Sequence, residues 1–253
     1  MTKEIILFDV DGTLVESSQK ITKSNADILN KLKEKGYEIG IVGGGNLTKI
    51  LNQMDNLIYF HHYFTECGCV YHQNKSTNIN VLDLEIKYMK NIREHFLYLE
   101  INKLVKKALE FISQVDYTIT GNFIDLRNGI IYISLIGMSA TNSERQYFIE
   151  IDNKEKIRKK LIDLLIKESI KLKIDDKISI LQGGSVGISI YPNEYDKIQV
   201  LEHLTNYDNI YYFGDKYLED GNDYKLLNDD KITRGFSINN PEETFEILKN
   251  KFI

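Results

Sequence analysis

The chain has 253 residues, 42% of them apolar and 27% charged, with a formal charge of -5 at pH 7. That is enough material for one large domain or two modest ones with a sizeable buried core. The acidic balance excludes a general nucleic-acid binder, which needs a basic surface, and no apolar run reaches membrane-spanning length. The first apolar run, 5–8, is too short for a signal peptide, so a cytoplasmic protein is expected.

In chain order, residues 5–8 (Ile-Ile-Leu-Phe) predict a fully buried strand. Residues 22–35 place Ile28, Leu29 and Leu32 on one helical face, and Gly36 ends the helix. Residues 39–42 read as a second buried strand closed by Gly43-Gly44-Gly45; 47–54 read as a helix and 63–64 as a further strand. This alternation predicts an α/β fold, a Rossmann-like parallel sheet with helices on both faces.

From residue 85 the texture changes. Residues 85–115 read as one long charged helix. Two strands follow at 122–126 and 130–136, joined by an Arg127-Asn128-Gly129 hairpin turn. A second long helix is predicted over 154–171, where alternating charges describe a solvated face, then strands at 178–182 and 186–191. The pattern suggests an inserted α+β domain over 85–193. The α/β rhythm returns with a strand at 210–213, a short helix at 222–227, a strand at 233–238 and a last helix opened by Pro241. The core is therefore discontinuous, 1–84 plus 194–253.

The strongest chemical signal is Phe8-Asp9-Val10-Asp11-Gly12-Thr13-Leu14. Two carboxylates two residues apart leave the carboxyl end of a buried strand, where open α/β sheets bind ligands. Extended geometry sends both toward the same side. One could accept a phosphoryl group as an aspartyl-phosphate while the other protonates the leaving oxygen. An EF-hand loop fails because Gly12 falls too early and no bidentate glutamate closes it. A polar turn that caps the next element stays open as an alternative.

The second signal is Phe213-Gly214-Asp215-Lys216, followed by Gly221-Asn222-Asp223. Asp9, Asp215 and the backbone carbonyl of Asp11 could offer oxygen ligands to magnesium. Asp215 could equally cap a helix. Lys197 could neutralise charge near the phosphoryl group or be an ordinary surface lysine. The Gly43-Gly44-Gly45 loop could present backbone N–H groups to phosphate oxygens. Cys67 and Cys69 are too few for a disulfide framework; with His61, His62 and His72 nearby a metal site is conceivable, but two incidental reduced thiols are the preferred reading.

These elements together resemble the haloacid dehalogenase superfamily, and within it the eukaryotic-type phosphomannomutases, nearly end to end. The matching stretches are residues 7–14, Gln19-Lys20-Ile21-Thr22, Gly40-Ile41-Val42-Gly43-Gly44, Leu126-Arg127-Asn128-Gly129, Ser143-Glu144-Arg145, Tyr212-Phe213-Gly214-Asp215-Lys216 and Gly221-Asn222-Asp223. The resemblance implies Asp9 as nucleophile, Asp11 as general acid/base and Lys197 as their catalytic partner. It implies magnesium on Asp9, Asp11 and Asp215, and substrate contacts from Gly43, Gly44, Arg127, Asn128 and Arg145. The 85–193 insert would be a mobile cap that sets specificity and joins a homodimer. The implied reaction interconverts mannose 6-phosphate and mannose 1-phosphate through a hexose bisphosphate, with hexose 1,6-bisphosphate as activator, feeding GDP-mannose synthesis. A sugar-phosphate phosphatase of the same fold is the alternative, and a non-catalytic interaction protein a further one.

The chain departs from the family at several places. Ser18 and Met138 stand where arginines are expected, Gly187 and Ser189 where a serine and an aspartate are, and Asp220 where a glycine is. A charge-assisted hydrogen bond is worth about 1.5–3 kcal/mol, so the absence of two arginines bears on distal-phosphate binding. Lys20 or Lys23 could restore a charge but not the bidentate fork of arginine.

Overall fold

The computed structural model describes residues 2–17, 19–76, 81–219 and 221–253. It divides into two compact units, Met1–Lys90 with Asp196–Ile253, and the inserted Asn91–Tyr195. The first unit begins β1 (Glu4–Phe8), α1 (Lys23–Glu34), β2 (Glu38–Val42), α2 (Leu47–Met54), β3 (His62–Thr65), β4 (Val70–Asn74) and β5 (Leu84–Met89). The insert contributes α3 (Tyr98–Ile112), β6 (Ile124–Leu126), β7 (Ile131–Ser134), α4 (Asn142–Glu155), α5 (Ile157–Leu172), β8 (Ile178–Gly183) and β9 (Gly187–Pro192). The chain returns to the first unit with β10 (Asn209–Gly214), α6 (Tyr224–Leu227), β11 (Arg234–Ser237) and α7 (Pro241–Lys251).

In the first unit seven strands run in the order β11-β10-β1-β2-β3-β4-β5. The five from β11 to β3 are parallel. Ile5, Ile6, Leu7 and Phe8 are wholly buried because β1 sits in the middle of that array, covered on both faces. Phe8 is registered with Phe213 and stacks on it at 5.2 Å, and Phe213 stacks on Phe236 at 4.4 Å. This aromatic column fixes β1 and β10 side by side, so the residues that follow them leave the sheet at one edge. Thr22 caps α1 by accepting from the Asn25 N–H, and Ala26, Ile28, Leu29 and Leu32 form its buried stripe. At the other end of the chain Asn240 caps α7 with Pro241 inside the first turn.

The sheet is parallel-rich rather than wholly parallel, since β4 and β5 add antiparallel strands beyond β3. The helix expected from residue 85 is accordingly wrong at its start. Leu84, Ile86 and Tyr88 alternate with Glu85 and Lys87, a period of two that pairs with β4. Only after a 3-10 turn at Ile92–Glu94 does α3 begin. Two helices meet where Lys156 takes φ of +57°: α4, which sequence reading does not expect, and α5, which is the helix expected over 154–171. The first of them, α4, starts at a Thr141–Glu144 capping box within an S/T-x-x-E signature that marks a helix N-terminus. The short helix expected over 222–227 spans only Tyr224–Leu227, because Asp223 is committed elsewhere.

The inserted unit has a four-stranded antiparallel sheet, β6-β7-β9-β8, with β6 and β7 joined by the expected hairpin. Ile131, Ile133, Ile188 and Ile190 are buried on one face. No helix among the described residues is long and apolar enough to cross a membrane.

Thr141 accepts from the Glu144 N–H, and Glu144 accepts from the Thr141 N–H at 2.7 Å. Thr141→Ala removes half of this reciprocal cap and is expected to cost about 1 kcal/mol, read as a lower urea midpoint. An unchanged midpoint would show that the cap contributes nothing.

Candidate active site

Asp9 follows directly from β1, its backbone N–H donating to the Phe213 carbonyl at 2.9 Å and so continuing the ladder to β10. The side chain is 7% exposed. Its Oδ1 accepts from Lys197 Nζ at 2.6 Å, across 188 positions of sequence. Lys197 is wholly buried and donates a second bond, again 2.6 Å, to Asp223 Oδ1. It opens a 3-10 helix, Lys197–His203, capped by Asp196, whose carboxylate also receives Lys225 Nζ at 3.0 Å. Lys197 is therefore no surface lysine.

Asp223 has no exposed surface. Its Oδ2 accepts from the Lys216 backbone N–H at 2.9 Å, and its Oδ1 also takes the Tyr212 hydroxyl. A Cβ at Gly214 would meet the Asp223 carboxyl carbon at 2.7 Å, so glycine there is what lets the carboxylate approach. Gly12 plays a like part for Asp215: it holds φ of +89°, and a Cβ there would stand 2.5 Å from Asp215 Oδ2.

Carboxylate oxygens of Asp9, Asp215 and Asp223 all lie within 4.8 Å of one another. One buried ammonium faces these three carboxylates, and the exposed Lys216 pairs with Asp215. Burial pushes the Asp9 carboxyl up from 3.8 to about 7; Lys197 opposes the rise, while Asp223 and Asp215 reinforce it. Burial also raises Asp215. For Lys197 burial acts downward, but Asp223 and Asp9 outweigh it and hold the ammonium charged. Asp215 Oδ1 is buried without a hydrogen-bond partner. An all-oxygen donor set, excess negative charge and an orphaned carboxylate oxygen fit a hard divalent cation such as magnesium.

Asp11 is not in this group. Extended geometry stops beyond Val10, where the N–H groups of Thr13, Leu14 and Val15 all turn back to the Val10 carbonyl. The Asp11 carboxylate instead receives Lys49 Nζ at 2.5 Å and Gln53 Nε2 at 2.8 Å, both from α2. Among the described residues, the carboxylates that could hold a metal ion together are those of Asp9, Asp215 and Asp223, and the Asp11 side chain is not among them. Asp223 stands in the Gly221-Asn222-Asp223 motif, where sequence reasoning assigns it no role. Lys49 and Gln53, four apart on one helical face, carry a usable signal that sequence reasoning missed.

Gly43 and Gly44 follow β2, the neighbour of β1, and leave the sheet at the same edge as Asp9. The Gly43 carbonyl accepts from the Cys67 N–H at 2.9 Å. Cys67 and Cys69 are free and buried, and burial pushes the Cys69 thiol up to about 12. Among the described residues they form no metal group with the nearby histidines; His62 instead bonds Tyr71, Glu38 and Tyr207.

Arg127, Asn128 and Arg145 belong to the inserted unit. Arg127 sits in the β6–β7 turn with Nε on Asp125 Oδ2 at 2.7 Å, and the Asn128 carbonyl accepts from the Ile92 N–H. Arg145, on α4, donates to the carbonyls of Ala140 and Met138. Lys20 pairs with Asp55 and Lys23 with Asp27, exposed contacts of little strength. Ser18 and Asp220 lie outside the described residues.

A family profile described as eukaryotic phosphomannomutase matches residues 25–253. Phosphomannomutase 1 of Dictyostelium discoideum is 34% identical, over 98% of this chain and 96% of its own length. The phosphomannomutase of Encephalitozoon cuniculi is 36% identical, over 96% and 91%. Among solved structures, ATP-bound IMP-nucleotidase of Plasmodium falciparum superposes with a TM-score of 0.71 at 17% identity, covering 99% of this chain and 60% of that one. The C-terminal domain of trehalose-6-phosphate phosphatase from C. albicans gives 0.60 at 15%, covering 98% and 92%. At these identities the two structures speak to fold alone.

Because folding raises the Asp9 pKa, the protonated carboxyl is the one that the metal-free fold prefers. Stability present below 3.8 is then lost as pH climbs to about 7. Asp9→Asn is expected to gain melting temperature over the unmodified protein through that interval, and magnesium should close the gap by binding only the latter. A gap indifferent to both pH and magnesium would contradict this electrostatic account. Lys197→Met, which leaves two buried carboxylates unpaired, should cost about 3–5 kcal/mol in metal-free urea unfolding.

Proposed function

This chain belongs to the eukaryotic phosphomannomutase family and is a phosphomannomutase, and from that premise we propose how its own residues divide the work. The reaction interconverts mannose 6-phosphate and mannose 1-phosphate. What carries the assignment of roles is Lys197, buried between Asp9 and Asp223 with Asp215 in ligating reach.

Asp9 is the nucleophile. Lys197 holds its Oδ1, which orients the carboxylate for attack on phosphorus by the other oxygen. In the phosphorylated enzyme, Asp11 acts first as the base. Its carboxylate, held in place by Lys49 and Gln53, takes the proton of the sugar hydroxyl as that oxygen attacks the aspartyl-phosphate. The acyl-phosphate bond breaks, Asp9 is freed and a hexose 1,6-bisphosphate forms. In the second half Asp9 attacks the other phosphate, and Asp11 returns its proton to the departing sugar oxygen. Atoms and protons balance over the cycle, and added hexose 1,6-bisphosphate primes it. Magnesium, which the family generally uses, would be held by Asp9, Asp215 and Asp223 with the Asp11 carbonyl and would supply positive charge against the transferring group. Gly43 shapes the loop beside the transferring group, but its own backbone N–H is spent on the Phe64 carbonyl at 3.0 Å, which removes it as the phosphate donor expected of it.

Arg127, Asn128 and Arg145 bind the phosphate that is not in transfer. The inserted unit sets specificity and joins a homodimer, and the enzyme works in the cytoplasm, where buried thiols stay reduced. One observation favours hydrolysis as a second activity: an exposed methionine, Met138, stands where the resemblance expects a phosphate-binding arginine, so water has less competition from a firmly held sugar.

A phosphorus NMR time course on mannose 1-phosphate separates the outcomes. Conversion to mannose 6-phosphate that requires both magnesium and hexose 1,6-bisphosphate is expected. Asp11→Asn should slow it by about 10²–10⁴-fold and Asp9→Asn should abolish it. Steady release of inorganic phosphate without the activator would make the enzyme a phosphatase, and full turnover by Asp9→Asn would reject the nucleophile.

A further inference from the structure

The open face of the inserted sheet carries a residue that no sequence motif singles out. Strand register places Asp125, Tyr132, Ser189 and Leu181 in one row across β6, β7, β9 and β8, on the face opposite the buried isoleucines. Tyr132 dominates that row. Its ring lies over the β8–β9 hairpin because glycines leave it room. A Cβ at Gly187 would stand 2.4 Å from both the ring Cζ and the hydroxyl oxygen, and 2.5 Å from the Ile133 carbonyl; one at Gly183 would stand 3.1 Å from the ring edge. Gly184, at φ of +57°, turns the hairpin so that even there a Cβ would come within 3.5 Å of the hydroxyl.

Guanidinium charge reaches this phenol from three arginines. Arg127 stacks over the ring with its Cζ 5.2 Å from the centroid. Burial raises the Tyr132 pKa, while the charges of Arg127, Arg145 and Arg158 pull the other way. Arg127 is paired with Asp125 and Arg158 with Asp152, each at 2.7 Å, and Arg158 also donates to the Gly184 carbonyl at 3.1 Å. The Arg145 guanidinium donates to backbone carbonyls, and among the described residues no carboxylate forms an ion pair with it. Guanidinium charge therefore gathers about a phenol hydroxyl on this face of the sheet. A phosphate monoester is the hexose-sized anion that such a group suits.

Resting on the hexose phosphate reading above, we propose that Tyr132 is a specificity-determining residue whose hydroxyl donates to the phosphate not in transfer, between Arg127 and Arg145. Gly187 then has a physical meaning. It is a small residue set beside a large one on the neighbouring strand, so β7 supplies the polar group that β9 does not carry at that position. The same exchange leaves Ser189, registered with Tyr132, as the remaining hydroxyl of the row.

Tyr132→Phe tests this by removing a single oxygen with no change in ring packing. Calorimetric titration of mannose 6-phosphate into the intact protein is expected to weaken by about tenfold, the scale of one hydrogen bond to a charged group. KM for the same sugar should rise in proportion, with kcat less affected and the melting temperature unmoved. Affinity and KM within twofold of the unmodified protein overturn the role of Tyr132 and leave the phosphomannomutase reading standing. Failure of the unmodified protein to bind mannose 6-phosphate sinks that reading and this inference together. Tyr132→Ala serves as a second variant: it also removes the stacking surface of Arg127, so it should weaken binding beyond the Phe substitution. Equal or tighter binding by Tyr132→Ala contradicts the proposal.

Discussion

A buried ammonium shared by two buried carboxylates is the constraint around which the first unit is arranged. Lys197 has no water to solvate it, and neither does Asp223. Each group is tolerable only while the others stay within hydrogen-bond range, since an unpaired buried charge costs several kcal/mol. The three residues come from the start, the return and the far end of the chain, so forming this triad requires β1 and β10 to be adjacent and in register. The parallel pairing Glu4↔Asn209 through Phe8↔Phe213 meets that requirement, and the phenylalanine stack maintains it.

Charge crowding also explains where the glycines fall. Gly12 and Gly214 are positions where any side chain would collide with Asp215 or Asp223, so the loops from β1 and β10 can bring carboxylates together only because those two residues have no Cβ. Lys197 compensates part of the accumulated negative charge, while burial, reinforced by Asp223 and Asp215, still raises the Asp9 pKa. A site that holds excess negative charge without a cation is strained electrostatically and preorganised for one, the condition under which electrostatic stabilisation of phosphoryl transfer is strongest. Asp11 is managed differently. Its position on a turn gives it to Lys49 and Gln53, which keep it apart from the cluster.

The inserted unit follows a different logic. One face of its sheet is isoleucine-rich and buried, while the other carries Asp125, Tyr132 and Ser189 in register. The departures at 138, 187 and 189 all fall in this unit, and the lack of a Cβ at Gly187 is what lets the Tyr132 ring pack across it.

Local pattern carried much of the fold. The apolar run of 5–8, the stripe Ile28, Leu29 and Leu32, the hairpin at Arg127-Asn128-Gly129 and the Pro241 start are all set by interactions within a few residues, so they could be read from the chain. The misreadings share a cause. The alternation in 84–89 is a strand only when β4 lies beside it, and the break at Lys156 rests on one backbone conformation inside a continuous run of helix-forming residues. In the site, Asp9 and Asp215 were legible because each ends an apolar run that itself declares a strand. Asp223, Tyr212, Lys49 and Gln53 were not assigned, because their roles depend on which charged groups meet across the fold. The sequence by itself determined which carboxylates leave the strands, since burial of a short apolar run is a local property. Only the tertiary structure decided which of them share the Lys197 ammonium and which turns to Lys49, since electrostatic partnership depends on distance in space, and chain separation says nothing of that.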